Sequence, residues 1–337
     1  MHEELTSHGP DNRLGVGELA TVGDIAAAYR ILLRREPDAG GLALYKTLVE
    51  RGIPLAKLIN YFTISDEYRG RFATESEVVT VDLGGYVVCV RPTEEDIGRA
   101  IVKSRNFEPH VRNAITGLLR EGQTFVDIGA NVGAITLMAA KIVGEQGTVI
   151  AVEPYPDNVQ LLYAGIVQNG LSNTRVIPNA ASDRRTVFAL RGGTSNAYVA
   201  PATSRRDGIA YAQSVVLDEV LSSLPAIHVV KIDIEGHEPF ALKGFAKLLR
   251  KHKPAMVAEF SPYCLRTLQG NDPREYVELL LSHYTHLRVI SLFGDSASFN
   301  KSRDLMDYWE QRNRELSDEK RLVEGDLHFD IIATNDK

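Results

Sequence analysis

Cysteine is scarce in this chain. Its 337 residues include two, Cys89 and Cys264, far apart and without a Cys-x-x-Cys or Cys/His cluster. That pattern argues against a disulfide framework and against a zinc site, and two free thiols in a reducing cytoplasm are expected. Basic charge is not in excess either. The formal net charge is −6, so a general nucleic-acid surface is not expected and DNA or RNA is not anticipated as a partner. No apolar run reaches the length of a membrane span. The first twenty residues carry Glu3, Glu4, Asp11 and Glu18 without an apolar stretch, so no signal peptide is expected there. What is present is ordinary for a globular protein: 44% hydrophobic and 24% charged residues, in a chain long enough for one large domain plus a small one.

A third glycine is also missing, from the turn around which the chain is organised. Thr124 to Ile128 reads as a short strand, Gly129-Ala130-Asn131-Val132-Gly133 as a tight turn, and Ile135, Leu137, Met138, Ile142 and Val143 as the start of a helix. Glycines there let the backbone approach a ligand, and the unpaired N–H groups of a helix start favour an anionic or polar cofactor group. A dinucleotide fingerprint requires three glycines at Gly-x-Gly-x-x-Gly spacing, so two make a poor pyrophosphate site. Asp127, leading the turn, is instead expected to face the ammonium of an amino-acid-bearing nucleoside. Glu153, closing the next strand at Val149-Ile150-Ala151-Val152-Glu153-Pro154, is expected to accept both ribose hydroxyls.

With Asp127, Gly129, Asn131, Gly133 and Glu153-Pro154 at these spacings, the chain resembles the class I S-adenosylmethionine-dependent methyltransferases, and within them the FkbM-type family. The resemblance implies an α/β fold, a doubly wound, mostly parallel seven-stranded sheet of Rossmann-like type. It also implies S-adenosyl-L-methionine as methyl donor. By that resemblance Gly129, Ala130, Asn131 and Gly133 belong to the cofactor site, and Asn179 and Ala180, where the third strand ends, lie beside adenine. A plain strand-to-turn transition would use the same residue types. An aromatic-Glu pair precedes the cofactor motif in this family, and Phe107-Glu108 matches it. Glu108 is then either a contact to the cofactor's amino-acid end or, the favoured reading, a carboxylate at a helix N-terminus.

The second chemical stretch is His228-Val229-Val230-Lys231-Ile232-Asp233-Ile234-Glu235-Gly236-His237-Glu238-Pro239. Alternation along a strand would send Asp233 and Glu235 from one face of its carboxyl end, where open α/β sheets bind ligands. Two adjacent acids cost desolvation unless a ligand, a cation or a shared proton compensates. The run matches the FkbM-type Lys-Ile-Asp-x-Glu-Gly-x-Glu signature. Methyl transfer to oxygen requires a hydroxyl oriented in line and relieved of its proton. Asp233 and His237 are the candidate bases and Glu235 the candidate orienter. No metal is expected, although two such acids with waters are also a set that would hold magnesium.

Around these stretches, residues 1–19 are expected to form a flexible tail and 20–75 a small helical domain with a packing or docking role. Tyr29 to Asp38 with Gly41, and Phe62 to Tyr68, resemble a bacterial helical domain of unknown function often attached to glycan-modifying and secreted proteins. Residues 76–337 are expected to form the FkbM-like domain. A β-hairpin is expected around Gly84-Gly85, a helix over Asp96 to Leu119 interrupted near Pro109, and loops at Gly192 to Asn196 and Ser204 to Gly208 within an insertion placed to act as a substrate-facing flap. One helix is expected over Phe240 to Lys251. Glu259 is expected at a strand end, in substrate contact or in a salt bridge, and the charged run Asp307 to Arg321 as a solvated helix. The expected acceptor is a small molecule or glycan hydroxyl.

Overall fold

The computed structural model describes residues 19–33, 35–63, 65, 67–68, 78–92, 97–191, 198–201 and 210–335. The expected tail at 1–18, most of a helix expected from Ser65 to Phe72, and the loops at 192–196 and 204–208 lie outside the described residues. Leu19 is not part of a tail: it bridges to Pro54, and Ala20 N–H donates to the Ile53 carbonyl at 2.9 Å.

The N-terminal helices are α1 (Val22–Leu32), α2 (Ala39–Glu50) and α3 (Leu55–Thr63). Thr21 and Asp24 form a reciprocal capping box at the start of α1. Ile25, Ala28, Tyr29 and Leu32 recur at helical spacing and pack, fully buried, against Leu58 and Phe62 of α3. No residue of α2 is fully buried, and Leu42, Tyr45 and Val49 only flank this core.

The hairpin forms as the sequence indicates, with β1 (Val79–Asp82) and β2 (Val87–Val90) antiparallel and both Gly84 and Gly85 at positive φ. Two helices follow, α4 (Ile97–Ser104) and α5 (Pro109–Leu118), separated where the sequence broke. Then strand and helix alternate: β3 (Thr124–Ile128), α6 (Ala134–Val143), β4 (Thr148–Val152), α7 (Pro156–Gln168) and β5 (Thr174–Ile177). Thr124–Ile128 is buried end to end, as a central parallel strand must be when helices cover both faces.

The described residues of the insertion include four strands. β6 (Ala180–Ala181), β7 (Val187–Arg191), β8 (Tyr198–Pro201) and β9 (Ala210–Val215) form a separate four-stranded sheet in the order β6-β9-β7-β8. After α8 (Leu217–Val220) the main sheet resumes with β10 (Val229–Ile232) and, beyond two helices, β11 (Ala255–Phe260). The single helix expected over 240–251 is split into α9 (Glu238–Lys243) and α10 (Ala246–His252). Gly244 at the break packs so closely on the Ser182 carbonyl oxygen that an added Cβ would lie 2.1 Å from it.

A π-helical turn, Cys264–Leu268, leads to α11 (Pro273–Leu281), β12 (His286–Ile290), β13 (Ser296–Phe299), α12 (Ser302–Asp318) and β14 (Phe329–Thr334). The charged α12 is solvated on one side only, since Leu305, Met306, Trp309 and Leu316 are buried. The main sheet has eight strands rather than seven, ordered β13-β12-β14-β11-β10-β3-β4-β5, with β14 antiparallel to β11. The extra edge strand, Ser-Ala-Ser-Phe, pairs antiparallel with β12 and needs no apolar face, so alternation does not reveal it. Helices cover both faces, which makes the sheet doubly wound. Among the described residues, no helix is long and apolar enough to cross a membrane.

Candidate active site

The carboxyl ends of β3, β4, β10 and β11 open into one cavity of about 510 Å³. Its floor is the β3–α6 turn. Gly129, Asn131 and Gly133 all have positive φ (85°, 51° and 90°), which reverses the chain within a few residues. A Cβ on Gly129 would lie 1.8 Å from the Asp233 carbonyl oxygen, and one on Gly133 would lie 2.4 Å from Leu162 Cδ1, so glycine is required at both places. Gly129, Ala130 and Asn131 border the cavity. Gly133 is not among the lining residues and serves the turn.

Glu153 borders the same cavity and is held by the turn and by its own strand end. The Asn131 N–H donates to its Oε2 at 2.8 Å and the Tyr155 N–H to its Oε1 at 2.8 Å, with Asn158 Nδ2 at 3.4 Å. Burial pushes its carboxyl up to about 7, against those hydrogen bonds.

Asp127 is not where the sequence reading put it. The side chain is fully buried and does not reach the cavity. Thr136 Oγ1 donates to its Oδ2 at 2.6 Å, and the nearby ammonium is that of Lys231, 3.8 Å from Oδ1. Strand alternation explains this, because Asp127 and Lys231 are register partners on adjacent parallel strands and point to the same face. Lys231 also donates to the Gly129 carbonyl at 2.9 Å and lies 3.1 Å from Asp233. Burial would pull its pKa down, but Asp233, Asp127 and Glu108 together hold it above its ordinary value.

Asp233 and Glu235 both border the cavity, though not as alternating residues of a strand. β10 ends at Ile232, and Glu235 and Gly236 sit in a turn at φ 55° and 90°. The turn is pinned from two sides: Ile234 and Gly236 N–H donate to Glu238 Oε1 at 2.8 and 3.2 Å, and a Cβ on Gly236 would meet the Cys264 carbonyl at 2.5 Å. Glu235 Oε2 accepts from Cys264 Sγ at 3.1 Å. Burial and then the Asp233 charge raise the Glu235 carboxyl.

His237 reaches the cavity, but both of its ring nitrogens are engaged. Gln269 donates from Nε2 to the Val199 carbonyl, so its Oε1 accepts from His237 Nδ1 (3.2 Å), and His237 Nε2 is left to accept from Ser182 Oγ (3.1 Å). Burial lowers its pKa, which favours the neutral ring. Asn179 is not brought into the cavity: its Nδ2 donates to the Gln213 carbonyl at 3.2 Å, whereas Ala180 does line it.

Glu108 does stand at a helix N-terminus, as the N-cap of α5, but in a left-handed conformation (φ 40°) and without a side-chain capping bond. It also borders the cavity, with Oε2 closed off and without a partner among the described residues. Burial and then Asp233 push its carboxyl up to about 8. Glu259 borders the cavity, and among the described residues it has no salt bridge and no partner for Oε2. Tyr198, Tyr263 and Leu268 also line the cavity and were not identified from sequence, because a single aromatic or aliphatic residue at the edge of a short element carries no periodicity that marks it as a site residue. No group of three or more His, Cys, Asp or Glu placed to hold a metal ion occurs among the described residues.

Residues 127–287 match the methyltransferase FkbM domain family. Two curated proteins are similar over part of the chain, both described as probable cobalt-precorrin-6B C(15)-methyltransferase (decarboxylating). The one from Sulfolobus acidocaldarius is 26% identical over 45% of this chain and 85% of its own length. The one from Sulfurisphaera tokodaii is 32% identical over 27% of this chain, and the match spans 48% of that protein. A crystal structure described as methyltransferase FkbM from Methylobacillus flagellatus KT aligns with 81% of this chain and 57% of its own, at 20% identity and a TM-score of 0.38.

Proposed function

We propose that this chain, an S-adenosylmethionine-dependent methyltransferase that carries a methyltransferase FkbM domain over residues 127–287, methylates a hydroxyl oxygen on a sugar, glycan or small polyhydroxylated metabolite. The residues present suit the cofactor. Gly129 lets the backbone come close, Glu153 offers an acceptor carboxylate already fixed by two backbone N–H groups, and Glu108 Oε2 is a buried acceptor without a donor. S-adenosylmethionine supplies a methyl group activated by a sulfonium. Glu153 would hold its ribose, Ala180 would lie against the adenine, and Glu108 would take its ammonium. In this reading Asp127 acts at one remove, setting Lys231, which in turn holds the Gly129 carbonyl and Asp233.

Asp233 is the assigned base. It borders the cavity, its side chain keeps 25% accessibility, and it is fixed by Lys231 at 3.1 Å, so it can receive the hydroxyl proton as the oxygen attacks. Glu235 orients the acceptor. His237, tied at both nitrogens, shapes the wall instead of taking the proton. Tyr198, Tyr263 and Leu268 supply the apolar surface a ring can lie on.

The observation that carries this reading is the acidic wall. Glu108, Asp233, Glu235 and Glu259 border the cavity, and Lys231, the only lysine or arginine doing so among the described residues, is already committed. A decarboxylating reaction of the kind named for the curated relatives acts on a carboxylate-bearing substrate, and this wall offers a carboxylate no uncommitted cation. The free buried thiols Cys89 and Cys264 suit a reducing cytoplasm. The N-terminal helices would have a packing role: Tyr163 of α7 packs against their core, and Tyr68, which follows them, donates to Gln160 on α7 with Arg91 joining the pair. The test is the position of the transferred group. With S-adenosylmethionine carrying a ¹³C-methyl, an O-methyl carbon resonance in the product supports the reading, and a C-methyl resonance with release of carbon dioxide overturns it.

A further inference from the structure

We infer that the acceptor carries an ammonium group beside its reactive hydroxyl, as an amino sugar does, and that Glu259 is the residue that selects it. The inference rests on the O-methylation reading and narrows its substrate class. Across the sheet, Glu259 of β11 and Asp330 of β14 are register partners. Asp233 stands one residue beyond the Ile232–Ala258 pair of β10 and β11, beside Glu259. Carboxyls thus lie on one rung, pointing to the same face.

Each neighbour of Glu259 on that rung has a counter-charge or donor. Asp330 is 2.7 Å from His110 Nε2, and Asp233 is 3.1 Å from Lys231. Among the described residues Glu259 has neither, and its Oε2 is buried with no hydrogen-bond partner. A buried acceptor left unmatched costs free energy that a ligand donor recovers. Burial, together with the Asp233 and Glu235 charges, holds the Glu259 carboxyl well above the ordinary range, so it keeps its proton until a cation arrives to replace it. The Lys231 ammonium cannot serve, being held by Gly129, Asp233 and Asp127.

An ammonium held by Glu259 has no lone pair and does not accept the methyl. The neighbouring hydroxyl oxygen does: it bonds to the methyl carbon as the carbon–sulfur bond breaks, the bonding pair leaves on sulfur, and the hydroxyl proton passes to Asp233. The same wall offers phosphorylated and carboxylated acceptors no uncommitted cation.

The experiment uses the full chain, S-adenosylmethionine with a tritiated methyl, and matched trimers: β-1,4-linked glucosamine, its N-acetylated form, cellotriose and a galacturonate trimer. The glucosamine trimer should exceed the neutral trimers in kcat/KM at least tenfold. Glu259→Gln should bring that ratio near one while leaving the calorimetric affinity for S-adenosylhomocysteine unchanged. Equal or faster transfer to a neutral or carboxylated trimer overturns the inference, as does a ratio that survives Glu259→Gln. If no trimer is methylated, the O-methylation reading loses its support on this panel, and binding to the S-adenosylhomocysteine complex decides the inference separately. Tighter binding of the glucosamine trimer than of its N-acetylated form, lost in Glu259→Gln, sustains it; no such difference overturns it.

Discussion

Gly129 and Asp233 meet backbone to backbone: a Cβ placed on the glycine would lie 1.8 Å from the aspartate's carbonyl oxygen. The cofactor turn after β3 and the acidic turn after β10 are therefore one packed unit, and Lys231 stitches it by donating to the Gly129 carbonyl while facing Asp233. Gly129→Ala should fail on two counts, a left-handed φ of 85° that alone costs about 1–2 kcal/mol and a contact with no room to relax. Urea denaturation should show a loss larger than that backbone cost, and S-adenosylhomocysteine should no longer raise the melting temperature. A variant that keeps both wild-type stability and the ligand shift would show that the turns are not coupled.

Lys231→Met keeps an unbranched side chain one atom shorter and removes its charge, leaving Asp127 and Asp233 without this cation. Breaking a buried ion pair on one side costs roughly 3–5 kcal/mol, so a loss of that order is expected in denaturant unfolding. Adding Asp127→Asn to Lys231→Met should recover part of it. A double variant whose loss equals the sum of the two single ones would mean that Asp127 and Lys231 do not interact.

Stability of the unliganded protein should fall as pH rises from 6.5 to 8. Glu108, Glu153 and Glu238 are raised to about 8, 7 and 8, each chiefly by burial. Their unfolded values lie near 4.3, so over this window the folded state holds protons that the unfolded state has released. Stability is greatest below the unfolded value and is lost as pH climbs toward and through the folded ones, at about 1.4 kcal/mol per pH unit for each carboxyl still protonated. His237, shifted downward, acts in the opposite direction but only at lower pH, around and below its unfolded value. Urea midpoints at pH 6.5, 7.25 and 8 check the slope, and Glu108→Gln should flatten it. A midpoint that rises over this window would contradict the protonated cluster.

Much of this arrangement was legible in the sequence, because central strands and the turns after them are specified locally. Thr124–Ile128, rich in β-branched and aromatic residues, and the apolar run before Glu153-Pro154 are both ended by punctuating residues, and the structure follows them within a residue. What local reading missed depends on neighbours distant in sequence. Asp127 looked like a ligand contact because the sequence does not show that Lys231 stands beside it one strand away. The break at Gly244 is imposed by the Ser182 carbonyl, and Glu259 Oε2 is left without a partner because Lys231, on the neighbouring strand, is held by Asp233, Asp127 and the Gly129 carbonyl. Asn179 failed for the opposite reason: a plain turn uses the same residue type, and its amide is spent on Gln213.

The assignment of the base can be tested by comparing Asp233→Asn with His237→Asn. Asp233 borders the cavity beside Lys231, whereas His237 Nδ1 faces Gln269 Oε1, Nε2 accepts from Ser182 Oγ, and the ring stacks on Phe240 at 4.8 Å between centroids. Losing a general base costs on the order of 10²–10⁴ in rate, so Asp233→Asn should lower kcat by that factor and leave the affinity for S-adenosylmethionine within a few-fold. His237→Asn removes a packed, hydrogen-bonded wall and should act mainly through KM for the acceptor. If Asp233→Asn keeps most of kcat while His237→Asn abolishes it, the imidazole must turn from Ser182 during the reaction, and the proton goes to His237 instead.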